Sequence, residues 1–388
     1  MAFLTNPPPA GIYIHIPFCA QKCLYCDFYS ITDLCLQDAF IEGLFREIAA
    51  TKNQLTFDSL YIGGGTPSLL PHNQIGRIID RISAQFNLEA SAEITLEVNP
   101  GTVTLESLKA YRERGVTRLN IGVQSFQNTH LQWLGRMHPA DAAKDAILWA
   151  RAAGFDQIGM DLIYGLPGQS RQAWLADLHQ ALSFDPEHLS CYMLTCEPDT
   201  PLDRMRRHQE FKPMADGDVC DLFETTVMEL SGQGYPLYEI SNFARKGSNS
   251  PDVNRSRHNQ KYWTDAPYLG FGPAAHSYLN PVRYRNHRDI AAYLADLYSG
   301  TLPIAEKETL SLEQQLMETV FLGLRTLEGI SIQRFEEKSG RPFNVLFQDI
   351  LTDPELKKLI TLTPEHCSLT FQGMMVLDSI AGMFVDRI

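Results

Sequence analysis

The sequence predicts an α/β fold built on a parallel sheet, followed by a small helical, winged-helix-like domain. Short β-branched and apolar runs alternate with longer stretches of helical period through the first half. The strand-then-helix unit recurs six times, which calls for a parallel sheet with crossover helices. The last segment reads as a short strand pair followed by a helix. Right-handed crossovers leave the sheet either open or closing toward a barrel, and in both cases chemistry gathers at the carboxyl ends of the strands.

Strands are expected at 11–17, 59–63, 93–98, 118–123, 157–162 and 188–194. Between them, FIEGLFREI places Phe40, Ile41, Leu44, Phe45 and Ile48 on one helical face. TLESLKAYRERG carries Leu105, Leu108 and Tyr111, with Thr104 as N-cap and Gly115 just past the C-cap. From Tyr235 to Tyr278 the chain turns rich in Gly, Pro, Asn and aromatics, with strand-like YPLYEIS and a polar loop, RKGSNSPDVNRSR. SGTLPIAEKETLS reads as a linker. The helix LEQQLMETVFLGLRTLEG then aligns Leu316, Val320 and Leu324, and LITLTPEHCSLTFQGMMVLDSIAGMF supplies the strand pair and final helix.

The formal charge of −13 over 388 residues disfavours sequence-independent nucleic-acid binding. The wing-like hairpin is therefore read as a packing module. Dense basic runs occur only at Arg204–Arg207, read as a solvated face, and at 255–258. MAFLTNPPPAG lacks a signal pattern and no window approaches eighteen apolar residues, so the expected location is the cytoplasm. In a reducing compartment eight cysteines are not a disulfide framework. Cys35, Cys191, Cys196, Cys220 and Cys367 are scattered and are read as structural.

Cys19, Cys23 and Cys26 stand apart from these, directly after the first expected strand. Thiolates suit zinc or an iron–sulfur cluster. Zinc would need a fourth ligand, for which Asp27 or His15 is the candidate. Structural zinc usually draws ligand pairs from separate turns, whereas CAQKCLYC packs three ligands into one loop, which suits three corners of a cubane.

CAQKCLYC resembles the CxxxCxxC loop of the radical S-adenosylmethionine superfamily, and YIHIPFC before it resembles the coproporphyrinogen dehydrogenase-like branch. The resemblance implies a partial parallel (β/α)6-type barrel. It also implies a 4Fe-4S cluster on Cys19, Cys23 and Cys26, whose fourth iron takes the amino and carboxylate groups of S-adenosylmethionine. The following strand ends carry matching motifs. YIGGGTP gives Gly64, Gly65 and Thr66, where backbone amides approach the methionine amino group. TLEVNPG gives Glu97, LNIGVQSF gives Gln124, LGRMH gives Arg136 and GMDLIYGLPGQS gives Asp161. A guanidinium suits the methionine carboxylate because its fork is bidentate. Tyr13 and Tyr25 match contacts around the nucleoside, with core packing as the competing reading for each.

Two departures separate the chain from the dehydrogenase: Cys26 is followed by Asp27 and Phe28 where that enzyme continues Cys-x-Cys, and the first strand begins without the enzyme's long N-terminal extension. Both match the HemW family of haem chaperones in the same branch. YEISNFA, RHNQKYW and YLGFGPAAHSY resemble that family too, whose HNxxYW segment is linked to haem. On this resemblance His258 and Asn259, with the flat rings of Tyr262 and Trp263, form the haem site, and Arg255 and Arg257 face the propionates. His276 is the alternative iron ligand, and core packing is the alternative role for the aromatics. The polar loop ahead of RHN looks longer than the family's.

The expected organisation is a radical S-adenosylmethionine core over 1–298, including a haem-site extension at 235–285, and a C-terminal domain of the kind found in the dehydrogenase over 306–388. The expected function is to bind the cluster, S-adenosylmethionine and haem, and to pass haem to an acceptor, for which a membrane-associated respiratory protein is the candidate. No catalytic residue is assigned. An electron donor is needed if S-adenosylmethionine is cleaved, and if the chain dimerises the cluster is the expected mediator. The alternative is anaerobic coproporphyrinogen III dehydrogenation or another radical reaction on a tetrapyrrole.

Overall fold

Successive side chains along the strands point to opposite faces of the parallel sheet, and both faces are largely buried. The computed structural model describes residues 9–248, 250 and 252–388. Most of the N-terminal segment read above for a signal, and two positions of the polar loop, lie outside the described residues. The parallel strands are β1 (Ala10–Ile16), β2 (Thr56–Gly64), β3 (Asn87–Val98), β4 (Arg118–Gln124), β5 (Ile158–Tyr164) and β6 (His188–Met193), paired in that order. Ile12, Ile14, Leu60, Ile62, Leu96, Leu119, Ile121 and Met160 point to the helix layer and are fully buried. Each such side chain stabilises the fold by about 1.5–3 kcal/mol relative to exposure. The alternate residues, Tyr13, Tyr61, Glu97, Asn120 and Asp161, occupy the inner face, as a strand period of two requires.

The helices follow their local signals. Gln37–Ala50 buries Phe40, Ile41, Leu44 and Ile48. Leu105–Glu113 is capped by Thr104, whose side chain accepts from the Ser107 N–H, and ends before Gly115 at φ 95°.

The region from 235 onward does more than extend the core. β7 (Leu237–Glu239) and β8 (Asn242–Ala244) join the sheet beyond β6. β9 (Tyr268–Phe271) pairs parallel to β1, followed outward by β10 (His276–Leu279), β11 (Val282–Asn286) and β12 (Ile304–Thr309). Among the described residues the sheet thus has twelve strands. The stretch read as a linker is in part β12, antiparallel to β11. Its side chains are mostly exposed, so no apolar alternation marks it. Glu306 pairs with Arg285 and Glu308 with Arg283, charges of the sort that blunt a sheet edge.

The C-terminal helix Leu312–Leu324 buries Leu316, Val320 and Leu324. It packs with a three-stranded sheet of Ile330–Ser331, His366–Leu369 and Ile360–Leu362, and with the helix Leu377–Val385. No helix of the described residues is long and apolar enough to cross a membrane.

Candidate functional site

A cavity of about 1080 Å³ opens at the carboxyl ends of the parallel strands. Cys19, Cys23, Tyr25, Cys26, Gly64, Gly65, Thr66, Glu97, Gln124, Arg136 and Asp161 all line it. These residues come from the ends of β1 to β5 and the loops that follow, and the sheet register explains their convergence. Glu97 lies beside Asn120 and Gly122 beside Asp161. Asn120 Nδ2 donates to both carboxylate oxygens of Asp161 at 2.9 Å.

The three thiols sit on one loop facing the glycine turn. The backbone of Gly65 donates to the Ile16 carbonyl at 2.8 Å and that of Thr66 to the Phe18 carbonyl at 2.7 Å. A Cβ on Gly65 would lie 2.6 Å from the Phe18 carbonyl oxygen and 3.1 Å from Cys19 Sγ, so only glycine allows this approach. Gly64 adopts φ 113°, a left-handed conformation. Thr66 Oγ1 reaches Cys19 Sγ at 3.6 Å and accepts from Asn99 Nδ2 at 2.8 Å.

On the far wall Arg136 binds Asn99 Oδ1 at 2.5 Å and the Gly122 carbonyl at 2.9 Å, while its other terminal nitrogen reaches Cys23 Sγ at 3.5 Å. Its Nε is buried without a partner among the described residues. A Cβ on Gly122 would meet Asn99 Oδ1 at 2.9 Å, Gln124 Nε2 at 3.0 Å and Arg136 Nη2 at 3.4 Å, so an amide, a carboxamide and a guanidinium meet over one glycine.

Burial raises the carboxylates' pKa values. Glu97 is pushed up to about 7 by desolvation, against the pull of the Tyr61 hydroxyl, which donates to it at 2.6 Å. Asp161 is pushed up to about 6 for the same reason. A bound ammonium would favour the ionised form of either. Burial also raises Cys26, to about 11, and Tyr25.

The donor set fits an iron–sulfur cluster better than zinc. Among the described residues, no group of three or more His, Cys, Asp or Glu side chains is gathered closely enough for one metal ion, whereas a cubane takes each thiolate at a separate iron. His15 is spoken for: Nδ1 meets the Tyr13 hydroxyl at 3.0 Å and Nε2 the Tyr29 carbonyl at 2.8 Å. Asp27 is exposed and faces Arg288.

Tyr13 and the 258–263 group do not reach the cavity. Tyr13 lies one layer below, against Tyr61 and His258. The helix Arg257–Trp263 packs against β1 and β2 on the amino-terminal half of the inner face. His258 is 1% exposed, with Nδ1 against Ser59 Oγ at 3.2 Å and Nε2 against the Tyr262 hydroxyl at 2.9 Å. Burial drives its pKa down to about 3, so the ring is neutral and enclosed. Both ring nitrogens are thus engaged within the fold, and His258, expected as a haem residue, stands apart from the cavity. Asn259 is half-buried, its N–H donating to Ser256 Oγ at 3.2 Å. Arg255 is paired with Asp252 and Glu328, while Arg257 is exposed and reaches the Ser91 carbonyl. His276 is exposed on β10 and does not line the cavity.

Sequence reasoning missed Tyr61, Asn99, Asn120 and the whole wall from Tyr192 onward. Asn99 stood inside the quoted TLEVNPG motif, which was the available signal. Of the scattered cysteines, Cys191 and Cys367 are buried as expected, but Cys35 is exposed and Cys220 lines the cavity.

Comparison with known proteins bears on the family and the fold. The model of the radical SAM superfamily matches residues 13–181, and that of the HemN C-terminal domain matches 310–376. The chain is 34% identical to the haem chaperone HemW of Bacillus subtilis over 97% of this chain and 99% of that one. It is 36% identical to that of Haemophilus influenzae, over 98% and 99%. Among solved structures, coproporphyrinogen III oxidase HemN from Escherichia coli superimposes with a TM-score of 0.83 at 23% identity, over 98% of this chain and 91% of that one, which shows the shared fold.

Proposed function

This chain belongs to the HemW family of haem chaperones within the radical SAM superfamily, and on that premise we propose that it binds a 4Fe-4S cluster, S-adenosylmethionine and haem, and passes haem to an acceptor protein. The observation that carries the proposal is the meeting of three thiols from one loop with Gly64–Thr66, Glu97, Gln124, Arg136 and Asp161 around a single cavity. Cys19, Cys23 and Cys26 would hold the cluster, which when bound supplies a low-potential electron to a sulfonium. The turn at Gly64 and Gly65, with the Glu97 carboxylate, would orient the methionine amino group. Arg136, fixed by Asn99 and the Gly122 carbonyl, would take the methionine carboxylate, and Asp161 and Tyr25 would flank the nucleoside.

The division into 1–298 and 306–388 is proposed with it, and β12 falls across that boundary. A cytoplasmic location and a membrane-associated respiratory acceptor belong to the same proposal. The test is anaerobic reconstitution of the cluster, haem titration by absorbance, and transfer of haem to an apo-acceptor, with coproporphyrinogen III and reductant assayed in parallel. Haem uptake and transfer without decarboxylation are expected. Decarboxylated product would replace the chaperone assignment with the dehydrogenase one.

A further inference from the structure

The cavity continues past the cofactor cradle to a wall that holds neither the thiols nor the glycine turn. This wall comes from the end of β6, the helix Asp216–Gly232 and residues 374–379 of the C-terminal domain. Tyr192, Met193 and Val376 are 39%, 47% and 43% exposed there, and Phe28 at the cluster loop is 65% exposed. Single exposed apolar side chains are ordinary, but four around one cavity form a patch that a ligand would cover. At about 1080 Å³ the cavity lies at the top of the range for one small-molecule ligand, about 300–1,000 Å³, so it has room beyond the cradle.

Arg325 faces the same space. Its Nε is buried without a hydrogen-bond partner among the described residues, and its guanidinium lies over the Trp263 ring at 5.0 Å. Glu239 Oε1 accepts from the Ser241 N–H and from Asn242 Nδ2, while its Oε2 is buried without a hydrogen-bond partner among the described residues and its carboxylate feels the Arg325 charge. Glu197 and Asp378 also reach the lining, so the cation is local to Arg325. An apolar wall beside a guanidinium whose Nε has no hydrogen-bond partner among the described residues matches a large flat ligand carrying a carboxylate. No histidine lines the cavity among the described residues, whereas Met193, Cys220 and Met375 do.

We propose that this wall is the haem seat: the macrocycle lies against Tyr192, Met193 and Val376, Arg325 takes a propionate, and any axial bond from the wall comes from sulfur. The proposal rests on the haem-chaperone assignment and moves the ligand away from His258. It gives Trp263 a positioning role, holding the Arg325 guanidinium from behind, so the RHNQKYW segment bears on haem without touching it.

The experiment is haem titration of the reconstituted full chain, with cluster absorbance and S-adenosylmethionine affinity as checks on folding. Arg325→Ala is expected to weaken haem binding about tenfold or more, the effect of losing one charge-assisted contact. Val376→Trp, at an exposed lining position, is expected to block uptake while the cluster is retained. Trp263→Ala should weaken haem binding less than Arg325→Ala, with rescue by Trp263→Phe. Undiminished binding in both Arg325→Ala and Val376→Trp, with loss in His258→Gln, would overturn the proposal and return haem to the helix at 257–263. Failure of the unsubstituted protein to bind haem would remove the chaperone assignment itself.

Discussion

Arg136 is held by an asparagine oxygen and a main-chain carbonyl, both on its terminal nitrogen Nη2, while Nη1 reaches Cys23 Sγ at 3.5 Å and the buried Nε is left without a partner among the described residues. Arg136→Lys keeps the charge but replaces the fork with a single ammonium. S-adenosylmethionine affinity, measured by equilibrium dialysis on the reconstituted protein, should fall about tenfold or more; an unchanged affinity would take Arg136 out of the binding set. Glu47 offers a test independent of any ligand. It accepts from the Tyr293 hydroxyl at 2.6 Å, the Gly272 N–H at 2.9 Å and Asn286 Nδ2 at 2.5 Å, yet burial pushes its pKa from 4.5 to about 7. Between those values the folded chain holds a proton that the unfolded chain has released, so Glu47's contribution to stability is lost as pH rises through that window. The loss is on the order of 3 kcal/mol, and denaturant titrations should show a shallower slope between pH 5 and 7 in Glu47→Gln. At this scale the sequence was readable where a residue sat in a motif at a strand end, as Glu97 and Arg136 did. Tyr61 and Asn120 stood inside YIGGGTP and LNIGVQSF but ahead of the strand ends, where a polar side chain on the inner face has the same alternating pattern as one facing water.

The helix Arg257–Trp263 shows what an element's sequence conceals. Its motif was legible, but its position was not, because its partners are remote: Glu93 accepts from the Arg257 N–H at 2.9 Å, Ser59 meets His258, and Asp58 pairs with Lys261 at 2.6 Å. Just ahead of it Arg118, 2% exposed, donates to the Asn254 carbonyl at 3.1 Å. The element fills the amino-terminal end of the inner face, and the His258 ring supports Tyr61, which in turn holds Glu97. His258→Ala would leave a hole there and orphan Ser59 and Tyr262. A stability loss of about 2–4 kcal/mol is expected by chemical denaturation, together with weaker S-adenosylmethionine binding through the loosened Tyr61–Glu97 pair. If stability holds and only haem binding falls, the helix is a ligand surface rather than a support. The β12 edge was missed for a different reason: Glu and Lys outward on both faces give no period to read.

Across the whole molecule the C-terminal domain supplies a wall of the cavity, so its attachment matters to the site. The join is made partly by backbone. The Ile240 N–H donates to the Arg325 carbonyl at 3.0 Å and the Leu327 N–H to the Tyr238 carbonyl at 3.1 Å, with a bridge between Glu239 and Thr326. Ion pairs of Arg255 with Glu328, Arg283 with Glu318 and Lys338 with Asp265 flank it. Half-exposed pairs of this kind contribute little each and weaken with salt, so the backbone clip and the apolar contact carry the docking. The sequence showed that a helical module with a hairpin would follow the sheet, but not that it would be clipped to β7, since that pairing joins segments about ninety residues apart. In Trp263→Phe, which removes the tryptophan lying against Arg325, the remaining Trp133, Trp149 and Trp174 all precede the module, so intrinsic fluorescence reports the sheet while far-UV circular dichroism reports both parts. If the clip makes them one cooperative unit, thermal melts by the two probes should coincide, and should still coincide in about 0.5 M salt, where the Debye length is shorter than about 8 Å and exposed ion pairs are screened. A circular-dichroism transition that precedes the fluorescence one would mean that the module comes away first, and with it the wall carrying Val376.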